Sequence, residues 1–186
     1  MAKILCTVLI SVLFVANAAA QEQVAPSAPR TSVSVADFRR LALMGESFDL
    51  ESSKLAVAKA TRGSIRRYAT GLINQFRLNY ARLSAGAGLF ANIPALPGDP
   101  EAAIAPFLDP RRQTMLNQLN TAQGRILDRL YVDMQLGMRQ ELIALYETYL
   151  QTGGDAQLMA FAQSRLPALM NEQRTIARLA GRSRMR

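Results

Sequence analysis

The sequence predicts an all-α protein, a four-helix bundle in which two antiparallel hairpins are joined by one long crossover. Three observations carry this prediction. Four stretches repeat apolar residues at the spacing of a helix face. Glycines at 63, 86, 88, 153 and 154 end or separate those stretches. Prolines 94, 97, 100, 106 and 110 are gathered into one segment between the second stretch and the third, which reads as a connection.

The first twenty residues stand apart from this pattern. Met1-Ala2-Lys3 gives a short positive start, Ile4 to Ala16 is apolar, and Ala16-Asn17-Ala18-Ala19-Ala20 offers small residues ahead of polar Gln21-Glu22-Gln23. This is the form of a secretory signal peptide cut after Ala20. The apolar run is shorter than the roughly 20 residues of a membrane span. Cys6, the single cysteine, lies in that run and leaves with it, so the mature chain is expected to hold neither disulfides nor thiolate chemistry. Residues 21–33, with Pro26 and Pro29, read as a flexible leader, and residues 34–181 as the bundle domain.

Helix one is expected from Ser34, a serine N-cap with Asp37 in the first turn. Phe38, Ala42, Gly45, Ser52 and Ala56 mark its inner face, flanked by Leu41 and Phe48. Gly63-Ser64 breaks the run and opens helix two, whose stripe is Ile65, Ala69, Leu72, Phe76 and Leu83. So short a break makes the first two helices a hairpin. In the long connection, Asp109-Pro110 is an N-cap followed by proline at the first helical position, which predicts a short helix over 111–120. Helix three is expected over roughly 122–152, with Leu127, Met134, Met138, Leu142 and Leu145 inward. Asp155 caps helix four, whose inner face is Leu158, Ala162, Arg165, Leu169, Glu172 and Ile176. Pro167 lies inside it and should kink it and free a carbonyl near residue 163. Two hairpins and one crossover spanning the bundle make the ferritin-like arrangement.

The run Gly45-Glu46-Ser47-Phe48-Asp49-Leu50-Glu51-Ser52-Ser53-Lys54-Leu55-Ala56, then Ala160-Phe161-Ala162 and Leu166-Pro167-Ala168-Leu169, resembles the exported ferritin-like family catalogued as domain of unknown function 4142. Members often carry an outer-membrane label, and the likeness spans about Val35 to Ala180. The resemblance implies an acidic residue in helix one and histidines in helices two, three and four. Matched by spacing, Asp49 takes the acidic position, while Phe76, Met138 and Glu172 stand where the histidines would be.

The chain has no histidine at all. A di-iron site in a bundle draws on Glu-x-x-His pairs, and none can form here. Helical geometry alone turns Asp49 to within about 20° of Phe38, hence inward. With Phe76, Met138 and Glu172 it should form one layer, and Glu141, one turn beyond Met138, leans towards it. Two readings of these carboxylates follow. In the first they are structural and neutralised by arginine: Arg165 lies on the face of Glu172, two turns away, and no metal or cofactor is needed. In the second Asp49, Glu141 and Glu172 bind a hard cation, as a metal store or redox protein. Histidine- and cysteine-dependent catalysis is excluded for the mature chain, the glycine pairs lack a phosphate-loop context, and Met134 and Met138 read as core filling. The expectation is a protein that is not an enzyme and has no catalytic residues.

Without Lys3 the chain holds 21 basic and 14 acidic residues, a net +7, nearly all of the positive charge being arginine. That favours anionic envelope surfaces over nucleic acid, which an exported protein rarely meets. Arg174, Arg178, Arg182, Arg184 and Arg186 concentrate the charge at the C-terminus, with 182–186 as a basic tail able to tether the chain to an anionic leaflet. The expected setting is the periplasm, with association to the outer membrane and an interaction or stress-related role.

Overall fold

A computed structural model of the chain describes residues 32–84 and 108–184, with side chains to 83 in the first stretch and to 181 in the second. The expected signal peptide, nearly all of the leader, the crossover over 86–107 and the arginines of the 182–186 tail lie outside the residues, or the side chains, so described. Five helices are present and no strand among the described residues: α1 (Val35–Lys59), α2 (Gly63–Ser84), α3 (Pro110–Thr121), α4 (Gly124–Thr152) and α5 (Ala156–Arg184). None is long and apolar enough to cross a membrane.

Local chemistry sets the boundaries. The Ser34 hydroxyl accepts from the Asp37 amide at 3.0 Å and donates to the Asp37 carboxylate at 2.8 Å, fixing the start of α1. Asp109 accepts from the Arg112 amide at 2.7 Å with Pro110 in the first turn of α3, and Asp155 accepts from the Leu158 amide at 2.8 Å to start α5. The start of α2 is capped from another helix. Asp128 of α4 takes the Thr61 and Arg62 amides at 2.9 and 3.2 Å and the Thr61 hydroxyl at 2.5 Å. Helix α4 begins two residues later than the pattern suggested, because Ala122 and Gln123 are extended, the first ending α3 and the second preceding α4, and Gly124 makes the turn with a φ of 58°. Helix α5 continues past Pro167, which has no amide to donate and lies exposed.

Helix α1 packs against α2, α3 and α4, and α5 against α4 and α2. Every adjacent pair of long helices is antiparallel. Arg39 near the start of α1 donates to the Leu83 carbonyl at the end of α2, and Arg62 before α2 donates to Leu179 near the end of α5. Phe38 stacks on Tyr149 at 3.9 Å, which sets the start of α1 beside the end of α4. Midway, a Cβ on Gly45 would come within 2.6 Å of Leu142, so glycine is what lets α1 and α4 approach this closely.

The expected stripes are buried: Phe38, Ala42 and Ala56 on α1, the five predicted positions of α2, and Leu158, Ala162, Arg165, Leu169, Glu172 and Ile176 on α5. Leu41 and Leu145 are half-buried. The apolar core falls into two main clusters. One gathers Phe48, Ile65, Tyr131, Met138 and Ile176; the other gathers Phe38, Leu83, Tyr146, Tyr149 and Leu158. Between them lies a layer of buried charge.

Candidate functional site

That layer is built by all four long helices. Glu46 and Asp49 come from α1, one turn apart, and Arg139 from α4, while Arg165 and Glu172 come from α5, two turns apart. All five are buried, Arg139 completely so at 0% exposure. Arg139 joins two helices to its own. One terminal nitrogen pairs with Asp49 and donates to Gln135 Oε1 at 3.1 Å, and the other donates to Glu172 Oε2 at 2.9 Å. Arg165 grips Glu172 with both terminal nitrogens, at 2.6 and 3.3 Å, and places Nε 3.5 Å from Glu46 Oε1. Asn79 of α2 donates to the same Glu46 oxygen at 2.9 Å. Gln135 donates to the Ser52 hydroxyl at 2.9 Å, extending the network along α1.

Three carboxyls thus meet two guanidiniums. Burial pushes the Glu46 carboxyl up to about 7 against the pull of Arg165, with the like charge of Asp49 adding to the rise. Burial likewise raises Asp49, opposed by Arg139. Both arginines are held as cations: their carboxylate neighbours overcome the desolvation that would discharge them. Tyr68 of α2 faces the layer from the side, its hydroxyl raised by burial and opposed by Arg139, with its ring edge-on to Tyr131 at 6.4 Å.

The structure brings together two of the three carboxylates proposed as metal ligands. Asp49 and Glu172 share Arg139, and the predicted pairing of Arg165 with Glu172 is present. Glu141 belongs elsewhere, which corrects the three-carboxylate layer. Its side chain is 39% exposed and pairs with Arg111 at 2.7 Å and Arg112 at 3.1 Å, both on α3. Helix α3 docks beside α1 and α4 and supplies these cations, so Glu141 is drawn outward. Phe76 packs with Leu50, and Met138 joins the Phe48 cluster; both are buried and apolar in surroundings. Among the described residues no group of three or more acidic, cysteine or histidine side chains is placed to hold a metal ion. A cation entering between Asp49 and Glu172 would have to displace a guanidinium already bound to both.

Comparison with known proteins now has a fold and a site to set beside it. The family described as "Domain of unknown function (DUF4142)" matches residues 19–179. The chain belongs to that family. No curated protein and no solved structure matches it. Membership in DUF4142 assigns no activity, so the reading of function rests on the chemistry of the chain.

Proposed function

We propose that this DUF4142 protein is an exported four-helix bundle of ferritin-like topology that catalyses no reaction and acts through its surface in the periplasm. Its role is envelope association or stress-related interaction. The antiparallel contacts of all neighbouring long helices support the topology, since α2 ends at the opposite end of the molecule from the start of α4. The observation that carries the functional reading is the arginine-filled layer. At mid-helix, where bundles place their metal ligands, Arg139 and Arg165 occupy the carboxylates with guanidinium forks. The interior is committed to holding helices together, and the outside carries the net positive charge.

Elemental analysis of protein purified without chelator or affinity tag tests this against a metalloprotein using Asp49 and Glu172. Stoichiometric metal that disappears on Asp49→Ala would overturn the proposal. Export is tested by sequencing the N-terminus of the protein from a periplasmic fraction. A mature start at Gln21 is expected, and a chain retained in the cytoplasm with the first twenty residues intact would refute it.

A further inference from the structure

The end of the molecule where α1 stops, α2 and α4 begin and α5 finishes is cationic. Arg66, Arg67, Arg125, Arg129, Arg174 and Arg178 are all exposed there. Asp128, the acid nearest the α1–α2 turn, is buried and already accepts from Thr61 and Arg62. Between α2 and α5 this end opens into a cavity of about 410 Å³ lined by Ser64, Arg67, Tyr68, Thr175, Arg178 and Leu179. That size falls in the range of about 300–1,000 Å³ common to small-molecule sites.

The walls of the cavity are short of negative charge. Helix α2 contains no acidic residue, and the sole one in α5 is Glu172, which is turned into the core and held by Arg139 and Arg165. Arg67 and Arg178 therefore face the cavity with no carboxylate partner among the described residues. Arg178 donates to the Thr175 hydroxyl at 3.1 Å, which steadies its guanidinium from the wall of the same helix. Ser64 adds a hydroxyl from the first turn of α2, where the helix dipole favours an anion. Leu179 and the Tyr68 ring supply an apolar side.

We propose that this cavity is a phosphate-binding site. Arg67 and Arg178 would clamp a phosphate group carried by a lipid headgroup or by a soluble phosphate ester. Two guanidinium forks with no carboxylate partner among the described residues, beside the Ser64 hydroxyl, match phosphate oxygens better than they match a lone carboxylate or chloride. The inference rests on the surface-acting reading above and gives it a location.

The test titrates the full chain with inorganic phosphate by calorimetry at low salt. In parallel the chain is sedimented with phosphatidylcholine vesicles made with or without phosphatidylglycerol. Arg67→Gln/Arg178→Gln is compared with Arg125→Gln/Arg129→Gln, which removes the same charge from the same end but outside the cavity. All four side chains are exposed, so both variants should keep the wild-type melt in circular dichroism. The cavity variant is expected to bind at least about tenfold more weakly, and the control to change less than about twofold. Vesicle binding that needs phosphatidylglycerol and is lost in the cavity variant identifies the lipid source. Cavity-dependent phosphate binding without sedimentation supports the site with a soluble ester and overturns the envelope-surface reading. Equal losses in the two variants, or vesicle binding unchanged in the cavity variant, overturn the site and leave that reading standing. No binding to either probe overturns both.

Discussion

Replacing Glu46 with glutamine isolates the charge imbalance of the core. Glu46 faces Asp49 on its own helix, Asn79 on α2, Arg139 and Tyr146 on α4 and Arg165 on α5, so its surroundings hold two cations for three carboxyls. Burial raises it from 4.5 to about 7. A carboxyl with a folded pKa above its unfolded value binds its proton more tightly when folded. The stabilisation it gives is complete below the unfolded pKa and is lost as pH rises through the folded one. A rise of this size corresponds to roughly 3 kcal/mol lost across that interval. The chain has no histidine, so the window from about pH 5 to about pH 8 is otherwise quiet, and the raised Asp49 would add a loss of the same sign. Urea unfolding followed by circular dichroism at steps through this window should show the wild type losing roughly 2–3 kcal/mol. Glu46→Gln should lose clearly less than the wild type across the window, keeping only the part that Asp49 contributes, and exceed the wild type above neutrality. A wild type that holds or gains stability with rising pH, or a variant that keeps the wild-type slope, would refute the reasoning.

Three further outcomes follow from the same layer and its helices. Arg139→Met strips the shared cation from Asp49 and Glu172 and should cost about 4 kcal/mol, read as a fall of roughly 12 °C in Tm; a loss below about 1 kcal/mol would contradict the shared pairing. Replacing the set together, as Asp49→Leu/Arg139→Met/Glu172→Leu, should recover most of that loss while narrowing the amide shift dispersion and broadening the resonances by NMR, and a sharp native-like spectrum would show that the layer does not fix register. Pro167→Ala restores an amide to an exposed site inside α5 and should raise stability by about 2 kcal/mol in chemical denaturation; a decrease would mean the core is fitted to the proline-shaped helix.

Much of the architecture was legible because helix signals are local. Ser34, Asp109 and Asp155 cap the helices they were expected to cap, and the stripe residues of α2 and α5 are buried as the 3.6-residue period requires. Asp49 could be placed inward by rotation from Phe38 alone. The site was only half legible. Arg139 and Gln135 continue the line of Leu127, Tyr131, Leu142 and Tyr146 on α4, but a stripe traced by apolar residues passes over polar ones at the same positions. Glu46 escaped for the same reason. A reading that asked which charged residues fall in phase with the stripe would have found Arg139, just as it found Arg165 and Glu172. The error at Glu141 had another source. It sits about 60° around the helix from Met138, and which way such a residue turns depends on its neighbour, α3, whose docking no local signal announces.

The layer explains why an interior this polar is kept. Five buried charges hold no clear stability advantage over apolar residues of similar volume, since desolvation offsets most of their attraction. What they add is alignment. Arg139 reaches Asp49, Glu172 and Gln135 together only if α1, α4 and α5 stand at one axial offset, and Asn79 ties α2 to the same level through Glu46. A slip of one turn, about 5.4 Å, in any of them would strand a charge in the core. The two apolar clusters on either side carry no such instruction, because leucine, tyrosine and phenylalanine can repack after a slip. Register in turn fixes the cationic end, where α2 and α5 must meet level for Arg67 and Arg178 to face one cavity. The buried arginines thereby set the geometry in which the exposed ones act.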